Sequence, residues 1–221
     1  MKPIYQTNGI TLYCADCVEV LPLLGPLESV ITDPPWPGYE HLFAIESAQK
    51  TFNAMIEALP ETTRIAVQLA CNIDPAFCAS VSSKLPFFRS AGLEYARPGY
   101  CGRLLHTGDI GYLYGEPPPV RPGRKLIPGR CISNHNEGRE TKEHPCPRKL
   151  QHVEWLVKWW TDKQVIDPFM GSGTTAIAAL KQGKEFIGIE RNPDWCALAI
   201  RRIQAAYEQT DLINHALNSS V

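Results

Sequence analysis

Apolar and polar positions alternate along several short stretches of the chain. "GITLYCAD" predicts a strand near residues 10–14, because a period of two places alternate side chains on one face. "HLFAIESAQKTFNAMIEAL" at 41–59 instead has apolar residues at helical spacing and predicts a helix that ends at Pro60. Other β-rich or apolar runs predict strands at 29–32, 63–70, near 92–95 and at 110–115.

The C-terminal part of the chain contains both strand-like alternation and helical spacing of apolar residues. "LQHVEWLVKWWT" at 150–161 predicts an amphipathic helix, and the spacing of its tryptophans favours packing on a sheet over a base platform. Residues 164–209 then follow the order strand, glycine turn, helix, strand, turn, helix. This alternation predicts an α/β fold with parallel strands joined by right-handed crossovers.

The segment from Glu116 to Pro147 has a different character. It is rich in proline, glycine and basic residues and lacks sustained periodicity. We interpret it as a long functional loop within a single domain that spans residues 1–221.

Composition narrows the class of protein. A chain of 221 residues with a hydrophobic fraction of 44% fits one domain with a substantial core. The net charge is −1, so nucleic-acid binding would require local clustering of basic residues. Eight irregularly spaced cysteines do not form a small disulfide scaffold. With no apolar signal core or membrane-length run, we expect a reduced cytoplasmic protein.

The strongest local organisation lies in "VIDPFMGSGTTAIAALKQGKEFIGIE". A strand ends at Asp167, Gly171 and Gly173 follow, Thr174 opens a helix, and the next strand ends at Glu190. This layout is typical of a nucleoside-binding half-sheet, in which the glycine backbone approaches the ligand and the second acid bonds ribose hydroxyls. A tight turn beside a surface acid is the structural alternative. A phosphate loop is excluded because no lysine follows the glycines.

The stretch "SVITDPPW" has the features of a second site. Asp33 supplies acceptor oxygens, and the rigid Pro34 and Pro35 leave only carbonyl acceptors. Trp36 supplies a flat ring on which a heterocycle can stack. Two acceptors that hold the hydrogens of an exocyclic amine would stabilise the positive charge that develops when its nitrogen attacks. The alternative is a proline-stiffened strand end with a packed tryptophan.

Together with "HPCPRKL", these two motifs resemble the amino-group DNA methyltransferases, in the permuted (beta-type) order that places the catalytic motif first. The resemblance covers residues 10–40 and 144–203 best. It implies a doubly wound, mostly parallel seven-stranded sheet and methyl transfer from S-adenosylmethionine. In "HPCPRKL", Arg148 stands where the family usually has lysine.

The resemblance also implies roles for individual residues. The target base, flipped out of the duplex, would enter a pocket formed by Asp33, Pro34, Pro35 and Trp36. The residues expected to bind the cofactor are Asp16, Asp167, Phe169, Gly171, Gly173, Thr174 and Glu190.

The basic loop is the predicted DNA-binding region. It concentrates positive charge that could neutralise phosphates, although a solvated loop is the alternative. The residues expected to contact nucleic acid are Arg121, Arg124, Lys125, Arg130 and Arg148. The unusual spacing of Cys131, His135, His144 and Cys146 favours unrelated loop residues over a zinc site, so no metal is expected.

The sequence thus predicts a site-specific methyltransferase that modifies the 6-amino group of adenine in double-stranded DNA. The alternatives are the 4-amino group of cytosine, adenine in RNA, and a catalytically silent nucleic-acid-binding module. An orphan or phage enzyme, a restriction-modification partner and a homodimer are all left open.

Overall fold

The computed structural model describes residues 1–101, 103–123, 126–134, 143–146 and 148–218. Within them, nine strands form one sheet in the order β1-β2-β9-β8-β3-β4-β6-β5-β7. The strands are β1 Tyr5–Thr7, β2 Ile10–Cys14, β3 Leu27–Thr32, β4 Thr62–Ala70, β5 Phe87–Cys101, β6 Leu104–Gly115, β7 Arg130–Ile132, β8 Gln164–Asp167 and β9 Glu185–Glu190. The α-helices are α1 Cys17–Val20, α2 Ala48–Ala58, α3 Ala79–Ser82, α4 Leu150–Trp160, α5 Thr174–Lys181 and α6 Pro193–Asn218.

The predicted doubly wound sheet is confirmed. Its seven central strands run from β2 to β5, and three-residue strands, β1 and β7, are added at its two edges. Strands β2, β9, β8, β3 and β4 are parallel neighbours, whereas β6 is antiparallel to both β4 and β5. This arrangement makes the sheet mostly parallel, with an antiparallel hairpin on one side.

Helices cover both faces of the sheet. On one face, α4, α5 and α6 contribute buried residues such as Leu156, Trp160 and Ile203 to one core cluster. On the other, α1, α2 and α3 contribute to a second cluster that includes Phe52 and Met55. Trp160 is 2% exposed, so the tryptophan-rich helix packs on the sheet as its spacing predicts.

The chain reverses its direction of travel across the sheet between β3 and β8. From β3 it crosses to the neighbouring β4, whereas from β8 it crosses to β9 on the opposite side. The pair β3–β8 is therefore the switch point, and open α/β sheets bind ligands outside the carboxyl ends of the strands at such a point. Asp33 directly follows β3, and Asp167 is the last residue of β8.

Three predicted elements differ from the structure. Helix α2 begins at Ala48 rather than near His41, because Ser47 caps it by accepting from Lys50 N at 3.3 Å. Strands β5 and β6 are longer than the short strands expected there. The segment predicted as a loop contains β7, which pairs in parallel with β5.

Candidate active site

A cavity of about 440 Å³ lies at the carboxyl edge of the sheet, beside the switch point. It brings together motifs that are far apart in the chain. The predicted site residues that line it are Asp16, Asp33, Pro34, Pro35, Trp36, Arg148, Asp167, Phe169, Gly171, Thr174 and Glu190. The strand-end acids and the aromatic motif therefore share one site.

Asp167 connects the two halves of this site. Its Oδ1 accepts from Thr32 Oγ1 and from Phe169 N, both at 3.1 Å, and its Oδ2 accepts from Thr175 Oγ1 at 2.6 Å. Burial raises the pKa of this carboxyl to about 7 against the lowering effect of these donors. Because Thr32 directly precedes Asp33, Asp167 holds the end of β3 against the glycine turn.

Glu190 is joined to the same turn. Its Oε2 accepts from Gly171 N at 3.1 Å and its Oε1 from Asn192 N at 2.8 Å. Burial raises the pKa of its carboxyl group. Each oxygen keeps a second lone pair, so hydrogen bonding to a ligand hydroxyl remains available.

The two glycines of the turn have different neighbours. Gly171 lines the cavity at φ +49°, and a Cβ there would lie 2.9 Å from Nε2 of His144. Gly173, at φ +80°, is absent from the cavity wall, and a Cβ there would lie 3.0 Å from Cβ of Ala199 in α6. Gly173 therefore allows a left-handed backbone and close packing against α6, and its contact with the cofactor stays a prediction.

Asp33 is a half-buried acid at the edge of the cavity, with a side chain that is 22% exposed. Burial raises the pKa of its carboxyl to about 6, although the adjacent Arg148 opposes the shift. Oδ2 accepts from Nε of Arg148. Among the described residues, Oδ1 has no hydrogen-bond partner. This oxygen is itself covered by neighbouring side chains, so a ligand can reach the unpaired acceptor only when they move.

Arg148 is not placed to bind phosphate. Besides its ion pair with Asp33, its Nη1 lies 3.6 Å from Oδ2 of Asp109, and its Cζ lies 3.8 Å from the centroid of the Trp36 ring. Its side chain is 15% exposed. In this conformation the charge of Arg148 is used inside the site, and its contact with nucleic acid stays a prediction.

Two of the other residues predicted to contact DNA form ion pairs within the protein. Arg121 donates to the carbonyls of Lys158 and Thr161 and pairs with Asp162, which lies at the amino edge of the sheet. These contacts do not favour its assignment to DNA, which stays a prediction. Arg130 pairs with Glu94 at 3.4 Å while its side chain stays 66% exposed. Arg124 and Lys125 lie outside the described residues.

Several cavity residues were missed by sequence reasoning. The stretch between Tyr39 and Ile45 was assigned largely to an α-helix, but it is a loop with one 3₁₀ turn at Glu40–Leu42, and most of its residues line the cavity. Its aromatic Phe43 lies against Trp195, with ring centroids 5.6 Å apart, and His144 lies 4.6 Å from Trp195. Burial and nearby cations lower the pKa of His144 to about 4. The aromatic residues were visible in sequence, but their convergence was not.

The described residues of the possible zinc cluster are separated. Cys131 Sγ lies 3.6 Å from the carbonyl of Gln151, whereas His144 and Cys146 line the cavity. His135 lies outside the described residues. Across the part of the chain that the structure describes, no group of three or more potential metal ligands is present. No helix in that part is long and apolar enough to cross a membrane.

Comparisons with known proteins show similarity to DNA methyltransferases. Residues 121–201 match the N6/N4 methyltransferase family of DNA methylases. Type II methyltransferase M.BglI of Bacillus subtilis is 39% identical over 71 residues, 31% of this chain and 20% of that protein. DNA adenine methyltransferase YhdJ of Escherichia coli is 45% identical over 101 residues, 42% of this chain and 33% of that protein. The resemblance to amino-group DNA methyltransferases is confirmed, and the permuted motif order stays a prediction.

Solved structures are similar over most of the chain. The M1.HpyAVI–SAM complex has a TM-score of 0.69 at 19% identity, covering 88% of this chain and 98% of that one. PvuII DNA methyltransferase (cytosine-N4-specific) has a TM-score of 0.67 at 14% identity, covering 94% of each. These likenesses confirm the Rossmann-like methyltransferase fold. The matched segments span only 20% of the length of M.BglI and 33% of the length of YhdJ.

Proposed function

We propose that this protein transfers a methyl group from S-adenosylmethionine to the 6-amino group of adenine in DNA. The observation that carries the proposal is the unpaired Oδ1 of Asp33, which lies beside Trp36 in the same cavity as the glycine turn. This arrangement offers an acceptor for an amine hydrogen next to a ring on which a base can stack.

The cavity suits a cationic nucleoside. Asp16 and Glu190, at the ends of the neighbouring strands β2 and β9, provide acceptors for adenosine and ribose groups. Thr174 at the start of α5 is positioned for the negatively charged end of the cofactor, since a helix N-terminus favours anions. When bound, S-adenosylmethionine supplies an electrophilic methyl group on a positively charged sulfur.

The protein's contribution to the chemistry is to position and activate the amine. Asp33 accepts a hydrogen bond from the amino group and favours the positive charge that develops as nitrogen attacks the methyl carbon. The carbon–sulfur bond breaks as the carbon–nitrogen bond forms. The nitrogen then loses one proton, and an ionised Asp33 carboxylate is a suitable acceptor. A base within a duplex would have to flip out to reach this site.

Adenine is favoured over cytosine by the acid before the two prolines. In the resembling family, aspartate there usually accompanies adenine methylation, whereas serine is frequent in cytosine enzymes. The matching proteins include both an adenine enzyme and a cytosine-N4 enzyme. The choice of base therefore needs a direct measurement.

A nucleoside digest tests the proposal. Purified protein is incubated with isotopically labelled S-adenosylmethionine and unmethylated DNA or RNA, and the modified nucleosides are separated after enzymatic digestion. We expect labelled N6-methyladenine from DNA. Labelled N4-methylcytosine, label in RNA alone, or DNA binding without transfer would each overturn the proposed reaction in favour of a specific alternative.

A further inference from the structure

We propose that Arg148 occupies the target-base site in the absence of DNA, and that the target base must displace it. Arg148 would thereby be a specificity-determining residue that raises the binding energy a DNA site must supply. The inference rests on the proposed function and assigns to Arg148 a role opposite to that of a phosphate contact.

The guanidinium covers both surfaces that would recognise the base. Its central carbon lies 3.8 Å from the centroid of Trp36, while its Nε donates to Oδ2 of Asp33. A guanidinium is planar, stacks on aromatic rings and carries its N–H donors in its own plane. An adenine has the same two features, a flat face and an amino group. The base and the side chain therefore compete for one position.

A second carboxylate can retain Arg148 after displacement. Asp109 lies 3.6 Å from Nη1 of Arg148 and has a side chain that is 1% exposed. It is held by Gln68 Nε2 at 2.8 Å and by Tyr95 Oη at 3.1 Å, and it does not line the cavity. Arg148 can therefore release Asp33 and Trp36 while keeping a buried anionic partner.

The positive charge that develops on the target amine also requires Arg148 to leave the site. The nitrogen of the target amine becomes positive during attack, and a guanidinium in contact with the same carboxylate would oppose that change. If the base can enter only after Arg148 leaves, its apparent affinity is the intrinsic affinity multiplied by the fraction of protein in which the site is open. Sites that bind DNA weakly would then fail to capture their base.

A comparison of two duplexes separates this role from other roles of Arg148. One duplex carries adenine at the methylated position, mapped beforehand with the wild-type protein, and the other carries an abasic residue there. Binding of both is measured for the wild type and Arg148→Ala with an unreactive cofactor analogue. If Arg148 contacts phosphate, its removal should change the affinity for both duplexes equally. If Arg148 occupies the base site, its removal should change only the affinity for the adenine duplex.

We expect Arg148→Ala to widen the affinity ratio between adenine and abasic duplexes by about tenfold, the order of one desolvated cation–π contact. Arg148→Lys keeps a cation near both carboxylates without a planar stack, so its ratio should lie between the two. If Arg148→Ala does not fold, as judged by circular dichroism, the lysine variant alone decides. An unchanged or narrower ratio overturns the inference, whereas absence of methyl transfer by the wild type overturns the proposed function and this inference together.

Discussion

Replacing Asp33 with asparagine tests the acceptor role with almost no change in shape. Arg148 donates to the oxygen at the Oδ2 position, so the asparagine side chain should keep its carbonyl oxygen there. Its NH₂ group then takes the Oδ1 position, which in the wild type is the unpaired acceptor. Once the base has displaced Arg148, the asparagine offers the amine one neutral carbonyl oxygen in place of two carboxylate oxygens.

The expected loss follows from this exchange of one hydrogen-bonding group. Removing a single preorganised group that stabilises charge in the transition state typically costs about 10²–10³ in kcat. Asp33→Asn also removes the negative charge that favours the developing positive nitrogen, so we expect the upper part of this range. Cofactor affinity should persist, because Asp16, Glu190 and the glycine turn are unchanged.

Single-turnover transfer from labelled S-adenosylmethionine at saturating DNA measures this loss directly, and calorimetry measures cofactor binding. Asp162→Asn is the matched control, since it removes a carboxylate that pairs with an arginine, Arg121, at the amino edge of the sheet and outside the cavity wall. The control should retain most of the single-turnover rate. A rate for Asp33→Asn within about fivefold of the wild type would refute the acceptor role.

Three further perturbations test other parts of the site. Trp36→Ala should weaken capture of the flipped base by about 1–3 kcal/mol, measured by the fluorescence of 2-aminopurine at the target position; an unchanged signal contradicts stacking. Gly171→Ala should lower cofactor affinity and reduce stability by about 1–3 kcal/mol, because the new Cβ would meet His144 at a positive φ. Gly183→Ala is its control in thermal melts and calorimetry, with φ +62° and no atom within 4 Å of the added Cβ; equal losses in both variants would leave only backbone strain as the cause. Since the pKa of Asp33 is raised to about 6, kcat/KM should fall below that pH as the carboxylate is protonated, and a flat profile from pH 5 to 8 would exclude Asp33 as the titrating acceptor.

Much of the sheet could be predicted because its central strands have strong local patterns. The strand ending at Asp167 and the strand ending at Glu190 are both observed with those ends. The lengths of β5 and β6 were underestimated. Irregular pairing between Phe87 and Arg89 and between Glu94 and Gly99 interrupts the alternation of β5. Long antiparallel pairing depends on the partner strand, which local periodicity does not contain.

The positions of the predicted acids and glycines at strand ends carried most of the information about the site. Parallel strands place their carboxyl ends on one edge, so Asp33 and Asp167 were expected to be neighbours. The ion pair between Arg148 and Asp33 could not be predicted in this way. Asp33 lies 115 residues away from Arg148, and a positive charge in a basic segment looks the same in sequence whether it faces DNA or a buried carboxylate.

The structural requirement for glycine at position 173 could not be read from the sequence for a related reason. A glycine in a strand-to-helix turn can serve a ligand, a left-handed backbone or a close helix contact, and the sequence motif is the same in each case. The structure shows that Gly173 combines a φ of +80° with a close approach to Ala199 in α6.

The central claim is that the target amine and the cofactor methyl group meet between Asp33 and the glycine turn. The most direct test is the structure of a ternary complex with a duplex containing the mapped site and an unreactive S-adenosylmethionine analogue. We predict a flipped adenine stacked on Trp36, with its amino nitrogen bonded to Oδ1 of Asp33 and directed at the position of the methyl group. A base that remains in the duplex, or one bound outside this cavity while the analogue occupies it, would contradict the claim.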